Sequence, residues 1–347
     1  MIQPLPLHGT MKSSRFRRRF GWILIGLSLA LHLLTVFAFA RQPDRLAAFT
    51  VIPIWMWGAA GLGFSISAFW FLRAPLSLIV TGVWALTLLL GSDEARVIAH
   101  VGTPAPQQGN AGLAEGRPLI RVLTLNCGHF SYAGGADLAT DLRRWDPDLV
   151  LLQEVHPHQV RHIADLLYQG RGDYRIYATN GVVTRWSILR EVNPAPTGFR
   201  IQQVSVRKPD GFEFEVANLH LASAATDLRL WRRDCWRTHH ANRQLRRKEL
   251  GIALSILSET ATGRPIILGG DFNAPPGDPL KNLLQPDFED AFVAAGTGWG
   301  NTYQRRIPFH RIDQIHSTAQ FRALRCAAIT TRRSDHRMVV ADLLPPP

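Results

Sequence analysis

In the first hundred residues the apolar positions neither alternate nor recur with a helical period; they run unbroken. Phe20–Ala40 (FGWILIGLSLALHLLTVFAFA) holds 21 residues without a charge, Phe49–Leu72 a further 24, and Leu76–Leu90 a shorter third run. About 20 apolar residues cross a bilayer as a helix. The pattern therefore predicts an N-terminal bundle of about three transmembrane helices within residues 20–92, with spans near 20–40, 49–72 and 75–92. The third reaches a comfortable length only with its flanks. Trp55, Trp57 and Trp70 suit the interfaces, Gly58, Gly61 and Gly63 suit close helix packing, and His32 is expected to face a neighbouring helix.

Residues 1–19 are basic, ending in RFRRRF. By the positive-inside rule this segment stays in the cytoplasm. Three crossings then place the remainder outside, whereas two would leave it inside. The AFA at residues 38–40 resembles a signal-peptidase site, and cleavage there would give the same final placement. The run before it exceeds most signal h-regions, which favours an uncleaved helix and a multi-pass protein of the cell membrane.

Residues 93–118, rich in Gly, Ala, Pro and Gln, read as a linker. From Leu119 the pattern becomes that of short strands. LIRVLTLN and DLVLLQE are apolar runs ending in polar residues, GVVTRWSIL is a further strand, and RIQQVSV with FEFEVANLHL forms a hairpin across RKPDG. A long helix lies within Asp227–Leu257, followed by PIILGGDFN, RIDQIHST and a strand after SDH. Hairpins mixed with crossovers predict an α/β domain with mixed sheets over residues 119–347.

Charge changes the picture little. Residues 1–92 contain eight Lys/Arg and one acid, leaving 31 bases and 26 acids for residues 93–347. That modest excess permits phosphate contact without demonstrating nucleic-acid binding. Three cysteines, an odd number with no zinc-like spacing, read as small buried hydrophobes.

The candidate chemistry lies where apolar runs stop. Asn126, Glu154, His220, Asp271, Asn273, Asp313, Asp335 and His336 each follow or open such a run. Singly, each has a bland explanation as a cap, an Asx-turn or a satisfied core histidine. Together, four carboxylates aimed at one region need compensating positive charge. Hard oxygen ligands suit Mg²⁺ or Mn²⁺, and the histidines supply acid–base and anion-stabilising groups. That combination attacks phosphate esters with water.

The ordered set LTLNCG, LVLLQEV, GVVTRWSIL, ANLHLAS, IILGGDFNAPPGDP, RIDQIH and RRSDHRMVVADL resembles the endonuclease/exonuclease/phosphatase (DNase-I-like) family over about residues 119–343. The resemblance implies a four-layer α/β sandwich of two mixed sheets flanked by helices. It implies Glu154 as principal metal ligand with Asn126 beside it and Asp335 as a further one. Asp271 would orient or deprotonate the water, Asn273 would hold the phosphate and the developing charge, and His220 would stabilise the phosphate or assist the leaving oxygen. His336 would contact the scissile phosphate, positioned by Asp313. Either Asp271 or His336 could be the base. Gln314 and His316 depart from the usual apolar neighbours of Asp313 and predict a more polar setting for it; Cys127 departs as a tolerated core substitution.

The segment 229–248 interleaves seven arginines with Trp231 and Trp236. It reads as a nucleic-acid groove, a lipid-contacting segment, or a solvated helix with its tryptophans turned to the core. The anchor favours a lipid-linked phosphate ester over DNA, with the bilayer as the other partner and no protein partner evident. The layout is similar to that of teicoplanin-resistance-associated members of the family, which implies extracytoplasmic action. The alternatives are an anchored nuclease and an inactive membrane scaffold.

Overall fold

In a computed structural model the described residues are 9–128, 135–193, 198–223 and 227–347; the first eight residues of the basic segment lie outside them. The chain divides into two compact units, residues 1–96 and 97–347. The first contains α1 (Gly9–Arg41), α2 (Ala47–Thr50), α3 (Ile54–Leu72), α4 (Pro75–Gly91) and α5 (Asp93–Arg96). Among the described residues two helices are long and apolar enough to cross a membrane, Arg15–Arg41 and Ile54–Leu72. The second expected span thus starts later than residue 49. Pro53 precedes its first helical residue and separates it from the short turn 47–50. The third, Pro75–Gly91, is 17 residues long and falls short of full span length, so the expected count of three is corrected to two helices of full length.

Polar groups are enclosed in this unit beside its apolar contacts. Its interior holds small and polar groups around Trp84: Ser28 Oγ donates to Gly61 O (2.9 Å), Trp84 Nε1 to Ser28 Oγ (3.0 Å), and His32 bonds Thr87 Oγ1 (2.8 Å). Many of its large apolar side chains, among them Leu33, Trp70, Ile79 and Leu90, are exposed, while Leu24, Ile25, Phe49 and Ile54 are buried. A Cβ at Gly58 or Gly61 would collide with Leu88 or Trp84, whereas Gly63 faces open space and takes no part in close packing.

In the second unit a short hairpin, β1 (Leu113–Ala114) and β2 (Arg117–Pro118), leads into β3 (Ile120–Asn126). Then follow α6 (Gly135–Arg143), β4 (Leu149–Gln153), α7 (Pro157–Tyr168), β5 (Asp173–Tyr177), β6 (Asn180–Thr184), β7 (Ser187–Val192), β8 (Arg200–Arg207) and β9 (Glu213–His220). Helix α8 (Arg233–Thr260) crosses back to β10 (Ile266–Asp271). The chain closes with α9 (Lys281–Leu284), β11 (Phe288–Asp290), α10 (Ala291–Ala295), β12 (Gly296–Thr297), β13 (Asp313–Thr318), β14 (Arg322–Ile329) and β15 (Met338–Leu344).

Two mixed sheets result, ordered β12-β14-β15-β3-β4-β6-β5 and β11-β13-β10-β9-β8-β7. Alternation along each strand builds the layers. Ile120, Val122, Leu149 and Leu151 meet Val204, Val216 and Ile267 between the sheets. Leu123, Leu125 and Leu152 pack outward on α6 and α7. Leu219 and Leu268 pack outward on Leu250 and Leu257 of α8. The expected four-layer sandwich is the fold.

GVVTRWSIL is two strands, not one. It breaks at Arg185, whose guanidinium is held by Asp146 (2.6 Å) and Asp148 (2.8 Å), so β6 and β7 enter different sheets. The expected linker belongs to the second unit from Val97 onward. Arg121 Nη1 takes Gln107 O at 2.7 Å and Ala111 is buried.

Candidate active site

The site forms where strand register brings polar termini level. His220, Asp271 and Asp313 are in-register partners on adjacent β9, β10 and β13. Asn126 and Gln153 are partners on β3 and β4 of the other sheet. Asp313 opens its strand and His336 precedes β15, so two of the residues come from strand starts. The antiparallel direction delivers them to the same edge.

Glycine allows close approach within one sheet at Gly270 and between the two sheets at Gly269. Gly270 has φ +136°, and a Cβ there would collide with the Leu219 backbone. A Cβ at Gly269 would stand 2.7 Å from Leu151 of the opposite sheet. Below the site Gln153 Nε2 donates to Asn218 Oδ1 (2.6 Å) across the sheets. Asn218 Nδ2 donates to Leu152 O (2.9 Å) and Gly181 O (3.1 Å).

Asp271 is buried and held by both oxygens: Asn126 Nδ2 donates to Oδ2 (2.9 Å) and Asn273 N to Oδ1 (2.8 Å). Burial, reinforced by the Asp313 charge, pushes its carboxyl up to about 7. Asn273 sits in left-handed backbone (φ 50°) and donates through Nδ2 to Leu221 O (2.9 Å). His336 Nδ1 lies 2.8 Å from Asp313 Oδ2. Burial alone would lower the imidazole, but Asp313, and more weakly Asp271 and Asp335, raise it to about 10. The ring is therefore cationic at neutral pH and donates from Nδ1. Asp313 Oδ1 is buried and accepts no hydrogen bond among the described residues.

Glu154 follows β4 in left-handed backbone (φ 51°), an uncommon conformation for glutamate. It brings Oε1 to 3.5 Å from His220 Nε2, which is 4.0 Å from Asp271 Oδ2. Asp335 is exposed at the rim, its Oδ1 filling the space that a Cβ on Gly128 would need. Asp271, Asp313 and His336 offer ligand atoms within 4.8 Å of one another. In that triad a cationic imidazole already balances the acids, which opposes a metal ion there. Glu154 and the Asn126 amide oxygen are the better-suited hard donors.

Several contributors were not read from the sequence. Ser334 Oγ donates to Asn126 O (2.6 Å) and accepts from His336 N (2.9 Å). The Tyr303 ring lies 4.9 Å from that of His336. Ser334 stands inside the quoted SDH and could have been assigned; Tyr303 carries no local signal. Gln314 and His316 do not surround Asp313. They alternate to the other face of β13, where Gln314 Nε2 donates to Ala274 O (2.9 Å) and His316 meets Phe272. Cys127 is buried in the core against α6 and α7, as expected. The basic segment is not a simple solvated face. Trp231 is exposed, while Arg243 and Arg246 are buried against Asp278 (3.1 and 3.7 Å), directly beyond the GDFN turn.

The sequence profile described as Endonuclease/Exonuclease/phosphatase family matches residues 123–336. No curated protein matches the chain. Among solved structures, an endonuclease/exonuclease/phosphatase from Bacteroides vulgatus is similar at 19% identity with TM-score 0.54, covering 66% of this chain and 100% of that one. A mannosyl-6-phosphatase from Bacteroides thetaiotaomicron aligns at 17% identity and TM-score 0.52 over 65% of this chain and 99% of its own. TDP2 from D. rerio, complexed with single-strand DNA product, aligns at 17% identity and TM-score 0.51 over the same shares. At these identities the likeness is one of fold.

Proposed function

The chain belongs to the endonuclease/exonuclease/phosphatase family, hydrolases of phosphate esters, and on that footing we propose a membrane-anchored, metal-dependent phosphoesterase acting on a lipid-linked extracytoplasmic substrate. The observation that carries the chemistry is the division of labour between Asp271 and His336. A histidine held cationic by Asp313 cannot accept a proton at neutral pH, whereas a carboxyl raised to about 7 is matched to that task. Asp271 is thus the base that takes the proton of an attacking water, its carboxylate fixed in direction by Asn126 and Asn273. His336 presents its Nε2–H to the phosphoryl oxygens, and Asn273 shares in holding them. His220, beside Glu154, stabilises the phosphate or protonates the leaving oxygen. Attack is in line, with no covalent enzyme intermediate.

Metal dependence is supported by Glu154, which is held in an unfavourable backbone to face the site beside His220 and apart from the balanced triad of Asp271, Asp313 and His336. Glu154 and Asn126, with Asp335 at the rim, would hold Mg²⁺ or Mn²⁺. Such an ion would polarise the phosphoryl group and offset the charge that develops on it. The filled set of acids and histidines argues against an inactive scaffold.

Anchoring is supported by the two long apolar helices and by the many large apolar side chains they leave exposed, while Ser28, Trp84, His32 and Thr87 pair inside the unit. The outward residues of Pro75–Gly91 are equally apolar, and 17 residues reach about 26 Å, close to the hydrocarbon thickness. A reporter at the C-terminus should read out as extracytoplasmic; a cytoplasmic signal removes the third crossing.

The substrate is tested with the purified chain and Mg²⁺ on phospholipids, isoprenoid pyrophosphates and plasmid DNA. Release of phosphate or headgroup without nicking is expected. Nicking without lipid turnover would replace this reading with an anchored nuclease.

A further inference from the structure

Helix α8 is far longer than the strands beneath it. Only its Leu250–Leu257 portion packs on the sheet. At Glu249 and Arg246 it is level with Ala222, two residues past His220: Ala222 N donates to Glu249 Oε2 (2.6 Å), and Arg246 Nη1 to Ala222 O (3.3 Å). The preceding turns, 233–245, continue beyond this level for a helical length of roughly 20 Å, with Cys235, His239 and Arg243 buried. The chain leaving β9 follows these turns step by step. Asn242 Nδ2 donates to Ser223 O (2.7 Å), His239 Nε2 to Asp227 O (2.8 Å), and Trp236 Nε1 to Leu230 O (2.7 Å). Before this helix begins stands Trp231, 81% exposed, with Arg229, Arg232, Arg233 and Arg237 beside it in sequence. Asp227 pairs with Arg229 (2.8 Å) and Asp234 lies near Arg232 and Arg237 (4.0 and 3.8 Å), so four arginines against two acids leave the segment a net positive charge of two.

A second such segment lies on the His336 side of the site. Tyr303, against the His336 ring, closes a hairpin with His310 through paired backbone hydrogen bonds (2.9 and 3.0 Å). Its tip is Arg305-Arg306-Ile307-Pro308, with Ile307 79% exposed. No acid occurs from Trp299 to Ile312. Two apolar tips set in arginines thus flank the mouth of the site.

We infer that these tips are the catalytic unit's contact with an anionic lipid surface: Trp231 and Ile307 enter the headgroup layer while the surrounding arginines meet lipid phosphates. An aliphatic tip such as Ile307-Pro308 has no face on which a nucleobase can stack, and an apolar point ringed by cations matches the headgroup interface. The inference rests on the lipid reading above and adds the surface that delivers such a substrate to Asp271.

The three native cysteines are buried, so single exposed cysteines can be labelled selectively with an environment-sensitive fluorophore. The test uses the full chain in nanodiscs, labelled in turn at Trp231→Cys, Ile307→Cys and the control Gln320→Cys. Position 320 is exposed beyond the far end of β13. Hydrolysis of soluble bis(p-nitrophenyl) phosphate checks that each variant is folded. In phosphatidylglycerol discs the labels at 231 and 307 should shift to the blue and be quenched by spin-labelled lipid, less so at high salt; the label at 320 should not respond. Emission at 231 and 307 indistinguishable from that at 320 overturns the inference. So does a response to single-stranded DNA without one to phosphatidylglycerol. Burial of both labels with no lipid hydrolysed upholds this surface and sinks only the substrate assignment.

Discussion

Strand β3 carries a buried charge cluster at each end, and the two are built on opposite rules. At its start Arg121 is wholly enclosed: Nε and Nη2 donate to the two oxygens of Asp342 (2.6 and 2.9 Å), Nη1 to Trp145 O (2.8 Å), and Arg325 adds a second cation to Asp342 (2.7 Å). Among the described residues, none of these three side chains has a buried polar atom without a partner. At its finish Asn126 meets Asp271, whose carboxyl is raised, near Asp313 with one oxygen unanswered and Glu154 on strained backbone. The first cluster is saturated and the second is left in demand of a cation and a proton. Saturation marks scaffold, and residual demand marks the place where a substrate and a metal complete the structure.

The comparison can be broken first at the saturated end. Arg121→Met leaves Asp342 with Arg325 as its remaining cation and Trp145 O without its donor, and should cost about 3 kcal/mol, read as a fall in the denaturant midpoint. Hydrolysis per folded molecule should persist, because no atom of Arg121 reaches the site edge. A smaller loss is expected midway. Gln153→Leu leaves the Asn218 carbonyl oxygen buried without its donor and should cost roughly 1–3 kcal/mol by the same measurement.

A further effect sharpens the unsaturated end through pH. His336 is protonated to about 10 when folded, against its ordinary value of 6.5, because Asp313 outweighs burial. It therefore lends stability that is complete below about 6.5 and is lost as pH climbs towards 10. His336→Gln should abolish that decline, so the gap in unfolding midpoint between parent and variant should narrow from pH 6 to pH 10. A constant gap would show that the imidazole is not cationic.

Much of this was legible in the chain because strand chemistry is local. Apolar runs closing on Asn126, His220 and Asp271 announce both the strands and their functional ends. What was not legible depends on partners brought from far away. Whether Gln314 and His316 face Asp313 is decided by strand alternation and register; they face Ala274 and Phe272 instead. Arg243 and Arg246 look like part of a solvated charge run until Asp278, more than thirty residues on, folds over them. The break within GVVTRWSIL needs Asp146 and Asp148 beside Arg185. Length alone made the third apolar helix ambiguous, and its 17 residues keep it the shortest of the three long helices of its unit.

The central claim is that Asp271 is the base of a metal-dependent hydrolytic site in which His336 is the cation. It is tested by initial rates on bis(p-nitrophenyl) phosphate for the full chain and Asp271→Asn, stripped with EDTA and then titrated with Mg²⁺. The account predicts that metal restores the parent's rate. It predicts a deficit of roughly 10²–10⁴-fold in the variant, at an unfolding midpoint equal to or above the parent's. Hydrolysis by Asp271→Asn at the parent's rate, or full activity of the parent in EDTA, would contradict it.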